Sequence, residues 1–296
     1  MSGRTLHLVT GATATGKTDW ALRLAQEQGA EVISCDSLLF YRGMDIGTAK
    51  PTAAERARVP HHLVDILEVT ERMDVARYAT LAREAAEEIS ARGRPVVVVG
   101  GSGFYLKSFF VPVADAVAVP AELRAHVERL GAEGGLPALV SELRRLNPLG
   151  LGELDTANPR RVVRALERCL ASGRPLAELA EEFSRMPAPF GGWRLELTLL
   201  ERDPRDLARR IEARTAAMLQ AGLVDEVRGL LGVGLRDNPS AAKAIGYREV
   251  IAMLDGRLGE AELEGEIVRN TRALVRKQRT WFRTQLPEHR LVSLAG

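Results

Sequence analysis

Cysteine is scarce in this sequence, which contains only Cys35 and Cys169 among 296 residues. The two lie far apart and lack the spacing of a metal site, so a disulfide framework is excluded and a reducing compartment is predicted. No apolar run approaches the length of a membrane span, and the first apolar segment is too short for a secretory signal peptide. Together these absences predict a soluble cytoplasmic protein without a membrane partner.

A strong net charge is also missing, because the formal charge of the chain is only +2. The molecule as a whole therefore does not attract a polyanion over a long distance, and any charges that bind a partner must be concentrated locally. The composition is an ordinary globular one, with 46% hydrophobic and 27% charged residues. The chain is long enough for one large domain or two smaller ones.

The first third of the chain alternates short apolar strands with helices. Residues 5–9, 31–34 and 94–99 are predicted strands, and residues 17–28 and 75–92 are predicted helices. The last of these strands contains four consecutive valines, and such a β-branched run suits a strand that is buried on both faces. Strands separated by helices predict parallel βαβ units, and therefore an α/β fold with a parallel sheet flanked by helices.

The pattern changes after residue 112. From residue 120 to about 173 only helices are predicted, one of them opened by Asn158 as N-cap with Pro159 at its first position. A strand returns at residues 193–200, and the rest of the chain is predicted to be helical. We therefore predict a core formed by residues 1–113 and 191–296, interrupted by an all-helical insertion domain of residues 114–190.

The stretch GATATGKT, residues 11–18, follows the first predicted strand and has the G-x-x-x-x-G-K-T spacing of a nucleotide-binding or ATP-binding loop. Its glycines allow a tight turn in which backbone N–H groups point at an anion. Lys17 adds a positive charge, Thr18 adds a hydroxyl for a magnesium ion, and the following helix adds the positive end of its dipole. The motif predicts a phosphate site with Mg²⁺ in a P-loop NTPase-like core.

Polar residues also follow the other two predicted strands. Asp36 lies just past the second strand, at the sheet edge where ligands gather, and a carboxylate there can act as a general base. The alternative is that Asp36 only caps a turn with Ser37. The valine strand ends in glycines around Ser102, which offers a hydroxyl. No acidic residue follows the valines, although an ATPase usually keeps a magnesium-binding carboxylate there, and this weakens an assignment as an ATPase.

The adjacent residues His61 and His62 raise the question of a metal site. Neighbouring side chains point in different directions on regular structure, and no third ligand is evident in the sequence around them. We therefore predict structural hydrogen bonds for both histidines.

Arginine-rich stretches supply the local positive charge. Arg269, Arg272, Arg276, Arg279 and Arg283 recur every three or four residues, which places them on one helix face with no acidic residue between 268 and 287. Such a stripe is either a solvated face or a contact for an RNA backbone or a diphosphate. Two further clusters are candidates for phosphate contacts, namely Arg160, Arg161, Arg164 and Arg168, and then Arg209, Arg210 and Arg214.

Several stretches, in the same order, resemble the tRNA dimethylallyltransferase (tRNA isopentenyltransferase) family. They are GATATGKT, ISCDSLLFYRGMDIGTAKP, VPHHLVDI, VGGSGFYLKS, NPRRVVRALE, AIGYREVI and KQRTWFR, and the resemblance covers almost the whole chain. It implies transfer of a dimethylallyl group from dimethylallyl diphosphate to the N6 amine of the adenosine beside the tRNA anticodon, with release of diphosphate. It also implies the anticodon stem-loop of tRNA as the partner, and we expect a monomer by default.

The resemblance implies roles for individual residues. Asp36 is the implied general base, Lys17 and Thr18 hold diphosphate and magnesium, and the Ser102 hydroxyl lies near the reacting centre. The implied diphosphate-binding residues are Gly11, Ala12, Thr13, Ala14, Thr15, Gly16, Lys17, Thr18 and Arg214. The implied tRNA contacts are Asp36, Ser37, Leu38, Leu39, Ser102, Arg124, Arg160, Arg161, Val162, Val163 and Arg164.

The chain departs from the family pattern at a few positions. Leu39 replaces a glutamine that helps relatives to recognise the base, and Ser102 replaces a more common threonine. A leucine cannot make hydrogen bonds to the base, so either another group recognises adenosine or the selectivity is looser. Ala12 replaces the usual proline of the phosphate loop, a change that the loop geometry tolerates.

Two other functions remain as alternatives. One is a small-molecule kinase of the P-loop class, with Asp36 as the base on a hydroxyl, and the other is a nucleotide-dependent RNA-binding protein without transferase chemistry. The missing acid after the valine strand and the arginine-rich insertion favour the transferase over the kinase. Asp36 at the sheet edge favours an enzyme over a binding protein.

Overall fold

The structure is a computed structural model that describes residues 4–113 and 117–294. The chain divides into two compact units, Met1–Val111 with Ala188–Gly296, and Pro112–Pro187. These bounds differ by at most three residues from those of the predicted core and insertion domain. Residues 1–3, 114–116 and 295–296, which belong to the predicted ranges, lie outside the described residues.

The first unit contains a parallel sheet in the order β3-β2-β4-β1-β5-β6, which confirms the predicted α/β class. Its strands are β1 (Thr5–Gly11), β2 (Glu31–Ser34), β3 (His61–His62), β4 (Val96–Val99), β5 (Arg194–Arg202) and β6 (Arg290–Leu294). Because all strands run in the same direction, the carboxyl ends of β1, β2 and β4 meet at one edge of the sheet. The phosphate loop, Asp36 and Ser102 each follow one of these ends.

The prediction that the chain after β5 is entirely helical is wrong, because β6 completes the sheet. Strand β6 is a short edge strand whose residues are all at least partly exposed, so it lacks the continuous apolar run that marked β4. Its pairing with β5, from Thr198↔Arg290 to Arg202↔Leu294, holds it in place. Its partners in β5 lie 92 residues earlier in the chain, so the pairing leaves no local signal in the sequence.

Both faces of the sheet are covered by apolar side chains. Val96 and Val98 belong to the larger core cluster, whereas Val97, between them, belongs to a second cluster with residues of the first helix. Since successive side chains of a strand point to opposite faces, this division places one cluster on each side. The valine run is therefore buried on both faces, as its sequence predicts.

The helices follow the predicted pattern closely in the first unit. In chain order the helices of both units are α1 (Lys17–Gln28), α2 (Ala53–Arg58), α3 (Val75–Ala91), α4 (Gly103–Lys107), α5 (Ala121–Arg145), α6 (Pro159–Ser172), α7 (Leu176–Ser184), α8 (Pro204–Gln220), α9 (Leu223–Gly232), α10 (Pro239–Ala242), α11 (Tyr247–Leu254) and α12 (Leu263–Gln285). Within residues 4–113 and 117–294, none of the helices has both the length and the apolar character that crossing a bilayer requires.

Over its described residues the second unit contains the helices α5, α6 and α7 and no strand. Helix α6 begins as predicted, because the Asn158 side chain accepts hydrogen bonds from the backbone N–H groups of Arg160 and Arg161. Gly173, in a left-handed conformation with φ of 67°, ends it. Apolar residues of the three helices form a core of their own.

Candidate functional site

The phosphate loop connects β1 to α1 and is closed by its own hydrogen bonds. The Thr15 hydroxyl donates to the Ala12 carbonyl at 2.8 Å, and the Lys17 ammonium donates to the same oxygen at 3.4 Å. Ala14 and Gly16 adopt left-handed conformations with φ of 64° and 92°. Only Gly16 does so without steric cost, which explains why a glycine stands directly before Lys17.

Two arginines from outside the loop bind its outward-facing carbonyl groups. Arg202 at the end of β5 donates to the Thr15 carbonyl at 3.1 Å, and Arg210 on α8 donates to the Ala14 carbonyl at 2.9 Å. Because the C=O and N–H of a trans peptide point in opposite directions, holding the Thr15 carbonyl turns the Gly16 N–H to the other side of the loop. The arginines therefore help to orient donors for an anion.

The pKa of Lys17 depends on its burial and on two neighbouring charges. Burial lowers the pKa of Lys17 to about 8, the negative charge of Asp36 opposes this change, and the positive charge of Arg214 reinforces it. These interactions show that the loop lysine, the acid after β2 and an arginine of α8 share one electrostatic environment. A bound anion would favour the charged lysine and relieve its repulsion from Arg214.

The arginine cluster on α8 is only partly directed at the site. Arg210 contacts the loop and Arg214 donates to the Thr48 carbonyl at 3.2 Å, whereas Arg209 is largely exposed and pairs with Asp206. Burial lowers the pKa of Arg214, and Asp36 again opposes the shift. Of the three α8 arginines, Arg214 is therefore the one that interacts electrostatically with both Lys17 and Asp36.

Asp36 combines a turn with a free carboxylate oxygen. Its Oδ1 accepts the backbone N–H of Leu38 at 3.0 Å, so the capping alternative of the sequence analysis is present. Among the described residues, none donates a hydrogen bond to Oδ2. The neighbouring N–H of Ser37 donates to the Ser102 hydroxyl at 3.0 Å, which joins the ends of β2 and β4. The turn holds Asp36 in place and leaves one oxygen for a proton.

The glycines after β4 permit this close approach. A Cβ on Gly100 would lie 2.0 Å from the Cys35 carbonyl oxygen, a distance that no side chain tolerates. A Cβ on Gly101 would lie 2.9 Å from Gln278 and 3.5 Å from the Lys17 side chain. The glycines therefore let the backbone after β4 pack closely against Cys35, Gln278 and Lys17.

Gln278 on α12 is a residue of the site that the sequence analysis missed. Its Oε1 accepts the backbone N–H of Thr13 at 2.9 Å, and its Nε2 donates to the Gly101 carbonyl at 2.9 Å. One carboxamide therefore connects the phosphate loop to the loop after β4. The local signal was its place in the KQRTWFR stretch, where an uncharged carboxamide lies between Lys277 and Arg279.

Replacing Gln278 with leucine is expected to weaken binding of inorganic diphosphate about tenfold, because both loops lose a hydrogen bond that fixes their positions. Isothermal titration calorimetry measures this change. Gln285→Leu, at the exposed end of the same helix, is the matched control and should bind as the wild type does. An unchanged affinity in Gln278→Leu would show that the bridge does not support the loop.

The paired histidines have the structural role that was predicted for them. His62 Nε2 lies 2.7 Å from a Glu31 carboxylate oxygen, and His61 Nδ1 lies 2.7 Å from the Val59 carbonyl oxygen. The buried Glu31 also binds the exposed Arg92, so the His62 contact belongs to a polar cluster at the start of β2. Across the described ranges, no three His, Cys, Asp or Glu side chains are grouped so as to hold a metal ion.

The arginine stripe of α12 is less uniform than its sequence indicates. Arg269 pairs with Glu266, and Arg272 pairs with Glu212 of α8, although no acid occurs within the stripe itself. For these two arginines neither a solvated face nor a polyanion contact describes the structure fully, because acids from the preceding turn and from another helix pair with them. In the described parts of the chain, no carboxylate lies within ion-pair distance of the other three stripe residues, Arg276, Arg279 and Arg283.

The predicted tRNA contacts of the second unit lie mainly on its surface. Arg160 and Arg124 are exposed, while Arg161 and Arg164 are exposed and pair with Asp155 and Glu167. Val162 differs, because its side chain is fully buried in the core of the unit, and Val163 is partly buried. The side chain of Val162 therefore cannot contact a ligand, and the arginines carry any interaction of this segment.

The family model described as IPP transferase matches residues 39–285 of the chain. The chain belongs to this family. The match to the IPP transferase family begins in the loop after β2 and includes the whole second unit and all of α12. It confirms the family resemblance that the sequence motifs indicated.

Individual relatives agree with the IPP transferase assignment. The chain is 66% identical over 290 residues to a tRNA dimethylallyltransferase of Opitutus terrae, a match that covers 98% of this chain and 93% of the relative. It is 47% identical over 279 residues to a protein of the same name from Acidothermus cellulolyticus, covering 93% and 85% of the two chains.

Solved structures show the same fold. The crystal structure of a tRNA isopentenylpyrophosphate transferase from Bacillus halodurans is 34% identical, with a TM-score of 0.71, and the match covers 99% of this chain and 90% of that one. A eukaryotic dimethylallyltransferase, described as acting on tRNA, is 24% identical with a TM-score of 0.84, covering 98% and 74%. These similarities confirm the P-loop NTPase-like parallel sheet.

Proposed function

We propose that this chain transfers a dimethylallyl group from dimethylallyl diphosphate to the N6 amine of the adenosine next to the anticodon of tRNA, releasing diphosphate. The observation that carries this proposal is that Lys17 and Asp36 follow the ends of β1 and β2 at one sheet edge and that both interact electrostatically with Arg214 of α8. Two cations beside the phosphate loop suit a diphosphate, and a carboxylate suits a nucleophile that must lose a proton. Membership in the IPP transferase family supports the same reaction.

The chemistry needs stabilisation of the leaving group more than a strong base. The lone pair of an adenine amine is delocalised into the ring, so the amine attacks weakly and must be held in position. Lys17, Arg214 and the loop N–H groups face the negative charge that develops on diphosphate as the bond to the prenyl carbon breaks. Asp36 takes the proton from the amine through its free oxygen. The Ser102 hydroxyl, which accepts the Ser37 N–H, keeps its own proton to donate.

Magnesium is the cofactor that we propose, with Thr18 as its protein ligand. The Thr18 hydroxyl stands in the first turn of α1 and has no hydrogen-bond partner among residues 4–113 and 117–294. Since magnesium usually binds through few protein groups together with substrate phosphates and water, one hydroxyl beside a diphosphate site fits it. When bound, the ion would neutralise part of the diphosphate charge.

The attacked base must leave the stacked anticodon loop to reach the sheet edge, so we propose that the adenosine is extruded into the site. The exposed arginines of α6, together with Arg276, Arg279 and Arg283 of α12, would bind the RNA backbone. The Leu39 side chain offers no hydrogen bond to the base, and the Leu39 backbone carbonyl accepts the N–H of Asp65. We further propose a cytoplasmic monomer, because a tRNA-modifying enzyme needs access to tRNA and each chain has a complete set of site residues.

The proposal is tested by incubating the protein with radiolabelled dimethylallyl diphosphate, magnesium and tRNA that lacks the modification. Label on the adenosine beside the anticodon supports it, and mass analysis of the digested nucleosides locates the group. Transfer from ATP to a small hydroxyl acceptor would indicate the kinase instead. RNA binding without any product would indicate a binding protein.

Replacing Arg164 with glutamate is expected to weaken tRNA binding and to lower the slope of log affinity against log salt by about 0.7 to 0.9 for each phosphate that the protein no longer neutralises. Filter binding at several salt concentrations measures both effects. Arg185→Glu makes the same charge change on the same unit, where Arg185 is exposed and pairs with Glu181, and it should leave the slope unchanged. Equal slopes in wild type and Arg164→Glu would place the RNA-binding surface elsewhere.

A further inference from the structure

A single carboxylate holds the turn that precedes Thr48, the residue whose carbonyl binds Arg214. Glu226 on α9 accepts the backbone N–H groups of Asp45 at 3.0 Å and Ile46 at 2.6 Å through Oε2, and that of Gly47 at 3.2 Å through Oε1. Three successive N–H groups directed at one anion form a nest, a backbone arrangement that binds negative charge. Glu226, which is 180 positions from Ile46 in the sequence, is therefore the anion that occupies this nest, and it comes from helix α9.

A fourth donor fixes the carboxylate itself. The Tyr247 hydroxyl donates to Glu226 Oε1 at 2.6 Å, and its ring is fully buried. Burial, reinforced by the charge of Glu226, raises the pKa of Tyr247, so the hydroxyl keeps the proton that it donates. The ring also packs against the turn, because a Cβ on Gly47 would lie 2.5 Å from it. Glu226, Tyr247 and the turn therefore form one rigid assembly.

The turn ends at Thr48, whose backbone carbonyl accepts a hydrogen bond from Arg214. The residue after Gly47 is Thr48, whose carbonyl accepts the Arg214 Nη2 at 3.2 Å. Among the described residues, this carbonyl is the hydrogen-bond partner of Arg214, and no carboxylate pairs with it. A guanidinium has five N–H donors in a fixed fork, so one bond to a carbonyl sets its direction and leaves the others for an anion.

We propose that Glu226 is a positioning residue that, through the turn of residues 45–48, aims Arg214 at the diphosphate. This inference rests on the proposed function, because it takes diphosphate as the anion that Arg214 meets. Glu226 does not contact the site itself. Its carboxylate places the Thr48 carbonyl, the carbonyl directs the guanidinium, and the guanidinium acts on Lys17 and Asp36 through its charge.

Glu226→Gln tests the proposal because it changes the shape of the side chain very little. It replaces one carboxylate oxygen with an amide nitrogen, which cannot accept a hydrogen bond from the N–H groups of the turn. The affinity for inorganic diphosphate, measured by calorimetry with magnesium present, is expected to fall about tenfold. The affinity for tRNA alone should stay within about twofold of wild type. Asp225→Asn is the matched control, since the adjacent Asp225 is exposed and pairs only with Arg228 among the described residues, and it should bind diphosphate normally.

A double-mutant cycle separates positioning from general stabilisation. If Glu226 acts through Arg214, Glu226→Gln should have almost no further effect on diphosphate affinity once Arg214→Ala has removed the guanidinium. An equal loss in both backgrounds would overturn the inference. If Glu226→Gln does not fold, as judged by thermal melting, Tyr247→Phe replaces it in the same cycle, with a smaller loss expected from one missing hydrogen bond.

The wild-type protein distinguishes failure of this inference from failure of the proposed function. If wild type binds no diphosphate, the function proposed above is wrong and the inference falls with it. If wild type binds diphosphate and Glu226→Gln binds it equally well, only the inference is wrong.

Discussion

Asp36→Asn is expected to reduce prenyl transfer by about 10²- to 10⁴-fold while tRNA affinity stays close to that of wild type. Asparagine retains a carbonyl oxygen that can accept the Leu38 N–H, so the turn at the end of β2 is preserved. What disappears is the oxygen that takes the amine proton. The measurement is single-turnover transfer of label to tRNA, with tRNA affinity determined separately by filter binding.

Two comparisons make this test specific. Asp36→Ala removes both the base and the hydrogen bond that holds the turn, so it should lose at least as much turnover as Asp36→Asn. Any further loss of turnover measures the contribution of the turn. Because Asp36 favours the charged form of Lys17, both variants lower the pKa of the lysine further, so their activity should be compared with that of wild type over a range of pH values below 8. Normal single-turnover rates in Asp36→Asn would mean that another group, or water, accepts the proton.

Lys17→Met is expected to weaken diphosphate binding by about 10²-fold or more, because it removes a buried positive charge next to the anion. The wild type should also show a pH dependence that the variant lacks. Lysine carries its charge below its pKa and loses it above, and burial has lowered that pKa to about 8. The kcat/KM of wild type should therefore fall as the pH rises through about 8, and diphosphate affinity should fall with it.

The free enzyme is the state that this profile reports, since kcat/KM reflects the ionisation of groups before substrate binds. A bound diphosphate favours the charged lysine, so the corresponding fall in kcat should occur at higher pH. In Lys17→Met the step near pH 8 should be absent from the remaining activity. A step that persists in the variant would belong to a different group, and the role of the Lys17 charge would then be contradicted.

The local features of the fold were predictable because they depend on neighbours in sequence. The start of α1 at Lys17 and its end after Gln28, the valine strand and the Asn158 cap all follow from spacing, glycine positions or capping chemistry within a few residues. The phosphate loop belongs to the same class. Its eight residues contain both the turn and the groups that we predict to bind an anion.

The support of the site was not predictable in this way. Arg202, Arg210 and Gln278 reach the phosphate loop from β5, α8 and α12, and no local pattern marks the loop as their target. The stripe on α12 shows the same limit for charge, because Glu212, which pairs with Arg272, belongs to another helix and is not visible in the sequence around the stripe. A sequence pattern describes which side chains share a face of one element, but not which element that face meets.

The sequence by itself determined the family to which the chain belongs and the candidate groups of its site, namely the phosphate loop with Lys17 and Thr18 and the acid after the second strand. The tertiary structure decided which further groups hold those residues in place, such as Gln278 behind the loop and Glu226 behind Arg214. The physical reason is distance along the chain. A motif is encoded by adjacent residues, whereas these supporting contacts join residues more than 160 positions apart, and only the packing of the sheet and helices brings them together.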